Sequence, residues 1–374
     1  MRSERTIIGV RSPVARPRLV SSISSTELGS RLRKKWGRRI PRLMALLVPA
    51  LLAAAPPPPS VIAPYVHGGR FEPGDYRWLR GSFDGASAAE IAAYEEMVKW
   101  RSRCRASDMA ETRSELKDLG IRAGEAIEAI PYRSLVCDQV ATLPEPLDLH
   151  DWSGFVRDVS VVRPISLGFL NAVSMGEKAS AADSSDLRDA LNARAVGEQA
   201  LRAGIAWMNG SPSADGRTST LTPQQRGILT SEFAMALAVR DHSNTAWLKK
   251  VVLSQGWPKR SQVGEGAART AWLLVQHADA DPAFQVQALR LIEPLVSTGE
   301  ATPRNYAYLY DRVMLKLVGR QRYGTQLNCQ NGRLAPMALE SEVGVDARRH
   351  ETGMGTLSAY LAEARLEAGA CTDG

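Results

Sequence analysis

The sequence predicts an all-α protein, built from antiparallel helical hairpins packed as one irregular helical domain or as two subdomains. Two observations carry that prediction. Thr222-Pro223, Asp281-Pro282 and Thr302-Pro303 each set an N-cap oxygen ahead of a proline at the first helical position. There the missing N–H has no helical partner to lose and the fixed φ is already helical. Apolar residues also recur at three- and four-residue steps, as in Ile91, Tyr94, Met97 and Val98, while strong alternating strand patterns are absent. Segments 282–297 and 303–318 together have the size of one helical repeat. No self-similarity recurs along the chain, so a solenoid is not expected.

Taken in order, the chain opens on a basic leader. Residues 1–55 hold 12 of the 47 Lys+Arg and only two acids, Glu4 and Glu27, a net of +10; the remainder holds 35 Lys+Arg against 38 Asp+Glu, a net of −3. The formal charge of +7 therefore belongs to the leader, and the basic footprint that nucleic acid requires is missing from the body. RLRKKWGRRIPR (31–42) runs into LMALLVPALLAAA (43–55), the n-region and apolar core of a signal peptide. That run falls short of the roughly 20 residues a spanning helix needs, so membrane contact is expected only through the leader if it stays uncleaved. The expected location is export, periplasmic or extracellular. Thirty residues ahead of the basic cluster and Pro56 directly after Ala55 leave the start and the cleavage point open. All four cysteines lie outside the leader. An even count in an oxidising compartment implies disulfides, and of three connectivities the favoured one is Cys104–Cys137 with Cys329–Cys371, each closing a moderate loop. No Cys/His spacing implies a metal, and no cofactor is expected.

Residues 56–70 read as a Pro-rich linker, stiff over 56–64. Residues 71–210 read as an N-terminal helical region, 211–219 as a polar loop, and 220–374 as a C-terminal helical domain. Within the first region, a helix over 86–105 continues over 107–119 and 122–129, with Gly120 as a break. VRDVSVV, ahead of Arg163-Pro164, is either a short strand or a helical turn, because periodicity does not separate the two. A helix over 183–207 is headed by Ser184 and Ser185 and closed by Asn209-Gly210. Ser243 is a candidate cap for a helix running through Trp247 and Val251 to Gly256.

The candidate site lies in 256–326. A helix near 265–278 is apolar almost all round, so Gln276 and His277 emerge from a buried element. His277 reads either as a cap on last-turn carbonyls or as a general base, since an imidazole titrates near neutrality. Asp279, just past a helix C-terminus, opposes the dipole and needs a partner: it orients His277, shares a cation with Asp281, or makes an Asx turn. Asp281 itself reads as the N-cap before Pro282. Asp311 falls in an apolar sector with Ala307, Tyr308, Met314 and Leu315, so it too must be paired, with His277, Arg320 or Arg322 as candidates. The polar run Arg320 to Gln326 (RQRYGTQ) brings two guanidinium groups, a phenol, a hydroxyl and an amide, suited to an anion or a polar ligand.

GWP (256–258), WLLVQHAD (272–279), DPAFQ (281–285), AYLYDRV (307–313) and QRYGTQ (321–326) together resemble a bacterial family of unknown function carrying a WP…QHAD…DRV…YGTQ signature. The resemblance covers residues 241–326, with a further stretch at 345–361. It groups Gln276, His277, Asp279, Asp311, Arg312, Tyr323, Gly324, Thr325 and Gln326 and implies no activity. The sequence shows no Gly-framed Ser or Cys nucleophile, phosphate loop or spaced His pair. The reading it favours is a cell-envelope protein binding a small polar ligand or an envelope protein. In that reading Gln276, Arg312, Arg322, Tyr323, Thr325 and Gln326 line a groove around His277. The alternative is a hydrolase or transferase with His277 as base, Asp279 or Asp311 orienting it.

Overall fold

Caps and prolines set where the chain turns. The computed structural model describes residues 55–124, 127, 130–144, 148–181, 186–210 and 219–368, which belong to one compact unit. A short strand pair, β1 (Val66–His67) and β2 (Arg70–Phe71), leads in. Ser87 then starts α1 (Ala88–Asp118) with a capping box: its hydroxyl accepts the Glu90 N–H while the Glu90 carboxylate takes the Ser87 N–H. There follow α2 (Leu135–Ala141), α3 (Trp152–Ser180) capped by Asp151, and α4 (Leu187–Met208) capped by Asp186. Thr222 and Gln225 form a second capping box at the head of α5 (Pro223–Gln255). After α6 (Arg260–Gln276), Asp281 caps α7 (Pro282–Val296) by accepting the Phe284 N–H at 2.9 Å. Thr302 precedes α8 (Pro303–Val318) without a side-chain cap bond. The chain continues through β3 (Leu327–Gln330), β4 (Arg333–Pro336), α9 (Val345–Glu351) and α10 (Leu357–Ala368).

The protein is all-α, and its departures from expectation have physical causes. α1 is one helix of 31 residues with no interruption near Ala106. It ends where Gly120 takes a φ of 74°, and Ile121–Gly124 leave the helix, so the expected segment over 122–129 does not continue it. VRDVSVV is helical: Phe155, Val159, Val162 and Ser166 recur at helical spacing and are buried as one face of α3. Pro164 sits inside that helix on its exposed side, where water can take the carbonyl it leaves unpaired. By length and composition α3 is also apolar enough to cross a membrane, and its outer side leaves Val161, Leu167 and Met175 exposed. Ser243 caps nothing; it lies within α5, which runs unbroken to Gly256. Residues 56–64 do not hang free as a spacer. The Trp100 indole N–H donates to the Pro56 carbonyl at 2.8 Å, and Pro59 and Ile62 are buried. The β3–β4 hairpin turns through Asn331-Gly332 with φ of 52° and 74°, the positive pair that a two-residue loop requires.

Cys104 and Cys137 form a disulfide that joins α1 to α2. Cys371, the leader, Ser184 and Ser185, and most of the 211–219 loop lie outside the described residues.

Two hydrophobic cores share the same long helices. The first gathers Trp78, Trp100, Phe155, Leu201 and Phe233; the second gathers Leu116, Leu191, Leu248, Leu274, Phe284 and Leu309. α1, α4 and α5 each contribute to both, so residues 71–210 and 220–374 do not divide the core between them. Gly204 lets α4 press against Phe169 and Phe233, where a Cβ would sit 3.1 to 3.2 Å from both rings. Between the two cores α4 carries Glu198, flanked by Leu191 and Leu201, and α5 carries Asp241, flanked by Leu237 and Leu248. A polar layer thus interrupts the apolar packing midway along the α4–α5 pair.

Candidate functional site

That layer is where His277 goes. His277 is the C-cap residue of α6, and α6 packs on α4. Its Nδ1–H donates to Glu198 Oε1, and both side chains are buried, the carboxylate completely. Arg202, one turn along α4, contacts the same oxygen through Nε at 3.1 Å and grips Asp241 with Nη2 at 2.9 and 3.1 Å. Asp279 lies beyond, gripped by Arg312 of α8 (Nε at 3.2 Å, Nη2 at 2.5 Å) and touched by Lys316 one turn later. Gln285 of α7 ties the parts together: its Nε2 donates to the Val275 and Gln276 carbonyls at 3.0 and 3.1 Å and to Asp279 Oδ1 at 3.0 Å. The last-turn carbonyls of α6 are therefore capped by Gln285, which frees the His277 ring for Glu198.

The charges set one another's protonation. Burial pushes His277 down, outweighing the Glu198 contact that favours its charged form, so the imidazole is neutral near pH 7 with Nε2 as an acceptor. Burial works against ionising Glu198, but His277 and Arg202 outweigh it and hold the carboxyl below its usual range. Burial similarly opposes ionisation of Asp279, yet Arg312 and Lys316 hold it far below the carboxylate range. Asp241 is pushed well up, first by burial and further by Glu198 and Asp279, although Arg202 opposes this. Burial lowers Lys316 to about 8, and repulsion from Arg312 and Arg202 adds to it, against the attraction of Asp279. Three acceptors in this layer, Glu198 Oε2, Gln276 Oε1 and Gln285 Oε1, are buried without a hydrogen-bond partner among the described residues, as is one donor, Lys316 Nζ, whose contact with Asp279 is an ion pair. The cations at the edge of the cluster are less enclosed, the side chains of Arg202, Arg312 and Lys316 remaining 29, 26 and 23 % exposed.

The second group of signature residues is built differently. Asp311, fully buried on α8, accepts the backbone N–H groups of Arg322 (2.7 Å), Tyr323 (3.0 Å) and Thr325 (2.9 Å). Gln321 closes the same loop, donating to the Gln326 and Met337 carbonyls and accepting the Gln326 N–H, all at 2.9 Å. Arg349 and the Tyr360 hydroxyl take the Tyr323 and Thr325 carbonyls at 2.7 and 3.0 Å. Gly324 turns at a φ of 67° close under Leu357, where a Cβ would come within 2.9 Å of its methyl. The Arg322 guanidinium leaves the loop to meet Glu340 at 3.0 Å and to lie over the Tyr310 ring.

The structure thus brings Gln276, His277, Asp279 and Arg312 to one place and assigns Asp311, Arg322, Tyr323, Thr325 and Gln326 to another. Neither Asp279 nor Asp311 orients His277; Glu198 does. Asp279 makes ion pairs rather than an Asx turn, and Asp311 meets amide groups rather than His277 or a guanidinium. Glu198, Arg202 and Asp241 join the site without a motif to mark them, and Lys316, which the helical wheel places with Arg312 on the side away from Asp311, joins through Asp279. Glu198 lies seven residues after Leu191 and Asp241 seven before Leu248, acids on apolar helix faces, which is the same signal that singles out Asp311.

Residues 224–369, from the head of α5 through the end of α10, match a Family of unknown function (DUF6624). The span holds residues 241–326 and 345–361, where the sequence shows its resemblance. No curated protein and no solved structure matches the chain. His277, Asp279, Arg312, Lys316 and the Asp311 loop all fall within the matched segment, whereas Glu198 and Arg202 lie before it.

Proposed function

We propose that the chain is an exported cell-envelope protein and that the charged layer around His277 binds a small polar ligand. The observation that carries this reading is the trio of buried acceptors, on Glu198, Gln276 and Gln285, that have no donor among the described residues and lie beside a neutral imidazole. An unsatisfied buried polar group costs about 1–3 kcal/mol, so a ligand presenting O–H or N–H donors would offset a destabilisation that the protein otherwise carries. Arg202, Arg312 and Lys316 flank the same place and suit a ligand that also bears an anionic group. The Cys104–Cys137 disulfide and the signal-like leader support export.

A second reading, a hydrolase or transferase, has one observation in its favour. The Glu198–His277 pair has the form of a carboxylate-oriented general base, with the proton on Nδ1 and a lone pair on Nε2 able to draw a proton from water.

Thermal unfolding of the full chain against divalent metals, phosphate, nucleotides and peptidoglycan fragments tests both, with Glu198→Gln and His277→Ala alongside. A ligand at 100 times its Kd adds about 2.7 kcal/mol to the folded state. The binding reading expects such a stabilisation in wild type and its loss in both variants. The enzyme reading also expects turnover of the stabilising compound, abolished by His277→Ala. If no compound stabilises the wild type and both variants simply melt earlier, the layer is architecture and both readings fail.

A further inference from the structure

The α4–α5 pair carries the charged layer at its middle and a different feature at one end. A cavity of about 730 Å³ opens between the residues that follow α2, the last turn of α4 and the first turns of α5. Small-molecule sites occupy roughly 300–1,000 Å³. One wall is apolar, made by Leu143, Pro144, Met208 and Trp207, whose indole is partly exposed. α5 contributes Pro223, Arg226, Gly227, Thr230, Ser231 and Ala234 to the lining. Among the described residues lining the cavity, Arg226 is the one that carries a charge. Its Nη1 donates to the Leu221 carbonyl at 2.7 Å, a neutral acceptor, and no carboxylate pairs with it among the described residues. Thr230, one turn further on, has its hydroxyl oxygen buried without a hydrogen-bond partner among the described residues. A threonine within a helix can return that bond to the carbonyl four residues back; Thr230 does not, so its hydroxyl keeps a hydrogen-bonding capacity that no described residue uses. Arg226 sits in the first turn of α5, near the positive end of its dipole, and Thr230 lies one turn beyond it.

We propose that this cavity binds an amphipathic carboxylate, its anionic end on Arg226 and Thr230 and its apolar body along Trp207. A cation, an unengaged hydroxyl and a helix N-terminal end make one pole of the site; an indole and three apolar side chains make the other. No acidic group among the described lining residues would repel the anion.

Calorimetric titration of the full chain with phenylacetate and octanoate tests it, with phenylacetamide as the uncharged analogue. The expected result is that both carboxylates bind and the amide binds at least about tenfold more weakly, the loss that one charge-assisted hydrogen bond implies. Arg226→Gln should remove that preference, Arg226→Lys should restore part of it, and Thr230→Val should weaken the carboxylates alone. No heat from either carboxylate, or an undiminished preference in Arg226→Gln, overturns the proposal. Should Arg226→Gln fail to fold, equal affinity of wild type for phenylacetate and phenylacetamide overturns it as well.

Discussion

Asp279 and Asp311 are both buried carboxylates within the family-matched segment, yet they do opposite kinds of work. Asp311 spends its oxygens on three backbone N–H groups, and the rest of its loop is closed by Gln321, Arg349 and Tyr360 acting on backbone groups. Asp279 meets only side chains, Arg312, Lys316 and Gln285, in a layer where three further acceptors have no donor among the described residues. A carboxylate that holds amides fixes a loop whatever side chains that loop carries. A carboxylate that holds charges, among acceptors left without partners, creates a field and a demand for donors. The first arrangement is architecture; the second is where a ligand has something to gain.

The sharpest way to break this comparison is Asp311→Ala. Three buried N–H groups would lose their acceptor together, and at about 1–3 kcal/mol for each unsatisfied group, partly relieved by water, the expected loss is about 3–5 kcal/mol. Urea unfolding should show a lower midpoint with an unchanged m-value. A loss under about 1 kcal/mol would mean that the loop is held by its other bonds and that Asp311 is free for another role.

Much of this was readable in the chain, and what was not has a common cause. Prolines at Pro223, Pro282 and Pro303 fix helix starts by local chemistry, so those boundaries follow from the sequence. The demand of Asp279 and Asp311 for partners also follows, because a carboxylate past a helix end or on an apolar face cannot stand alone. Which partner answers does not follow. Arg312 and Lys316 look like the solvent side of their helix until the α6–α7 turn is packed against it. Glu198 is 79 residues from His277 and meets it only because α4 and α6 lie together. The Asn331-Gly332 turn is local chemistry, a pair suited to positive φ, but it joins strands of only four residues, too short for an alternating pattern to stand out.

Lys316 offers a milder test of the charged side. Its folded value lies near 8 against 10.5 for an ordinary lysine. Between pH 8 and 10 the unfolded chain therefore keeps a proton that the folded chain has released, and stability rises with pH across that window. The expected gain from pH 7.5 to 9.5 is about 1–2 kcal/mol, absent in Lys316→Met. Above pH 10 the raised tyrosines, Tyr310 and Tyr360 among them, act in the opposite sense, so the window closes there. Parallel curves for wild type and Lys316→Met would show that Asp279 satisfies both cations and that the layer carries no excess positive charge.

The smallest expected effect is the most discriminating for the loop. Arg322 stands in the signature, but the structure uses its backbone: Asp311 takes its N–H and Arg348 takes its carbonyl. Its guanidinium pairs with Glu340 and lies 4.3 Å from the Tyr310 ring centroid, at a side-chain exposure of 35 %. Partly exposed ion pairs contribute about 0–1 kcal/mol and cation–π contacts about 0.5–1 kcal/mol. Arg322→Gln should therefore cost about 1 kcal/mol or less and add little in a Glu340→Gln background. Arg322→Pro, which deletes the N–H that Asp311 accepts, should cost more than either. If Arg322→Gln instead proves as damaging as Asp311→Ala, the guanidinium rather than the backbone is what the loop exists to place, and the loop returns to consideration as a binding surface.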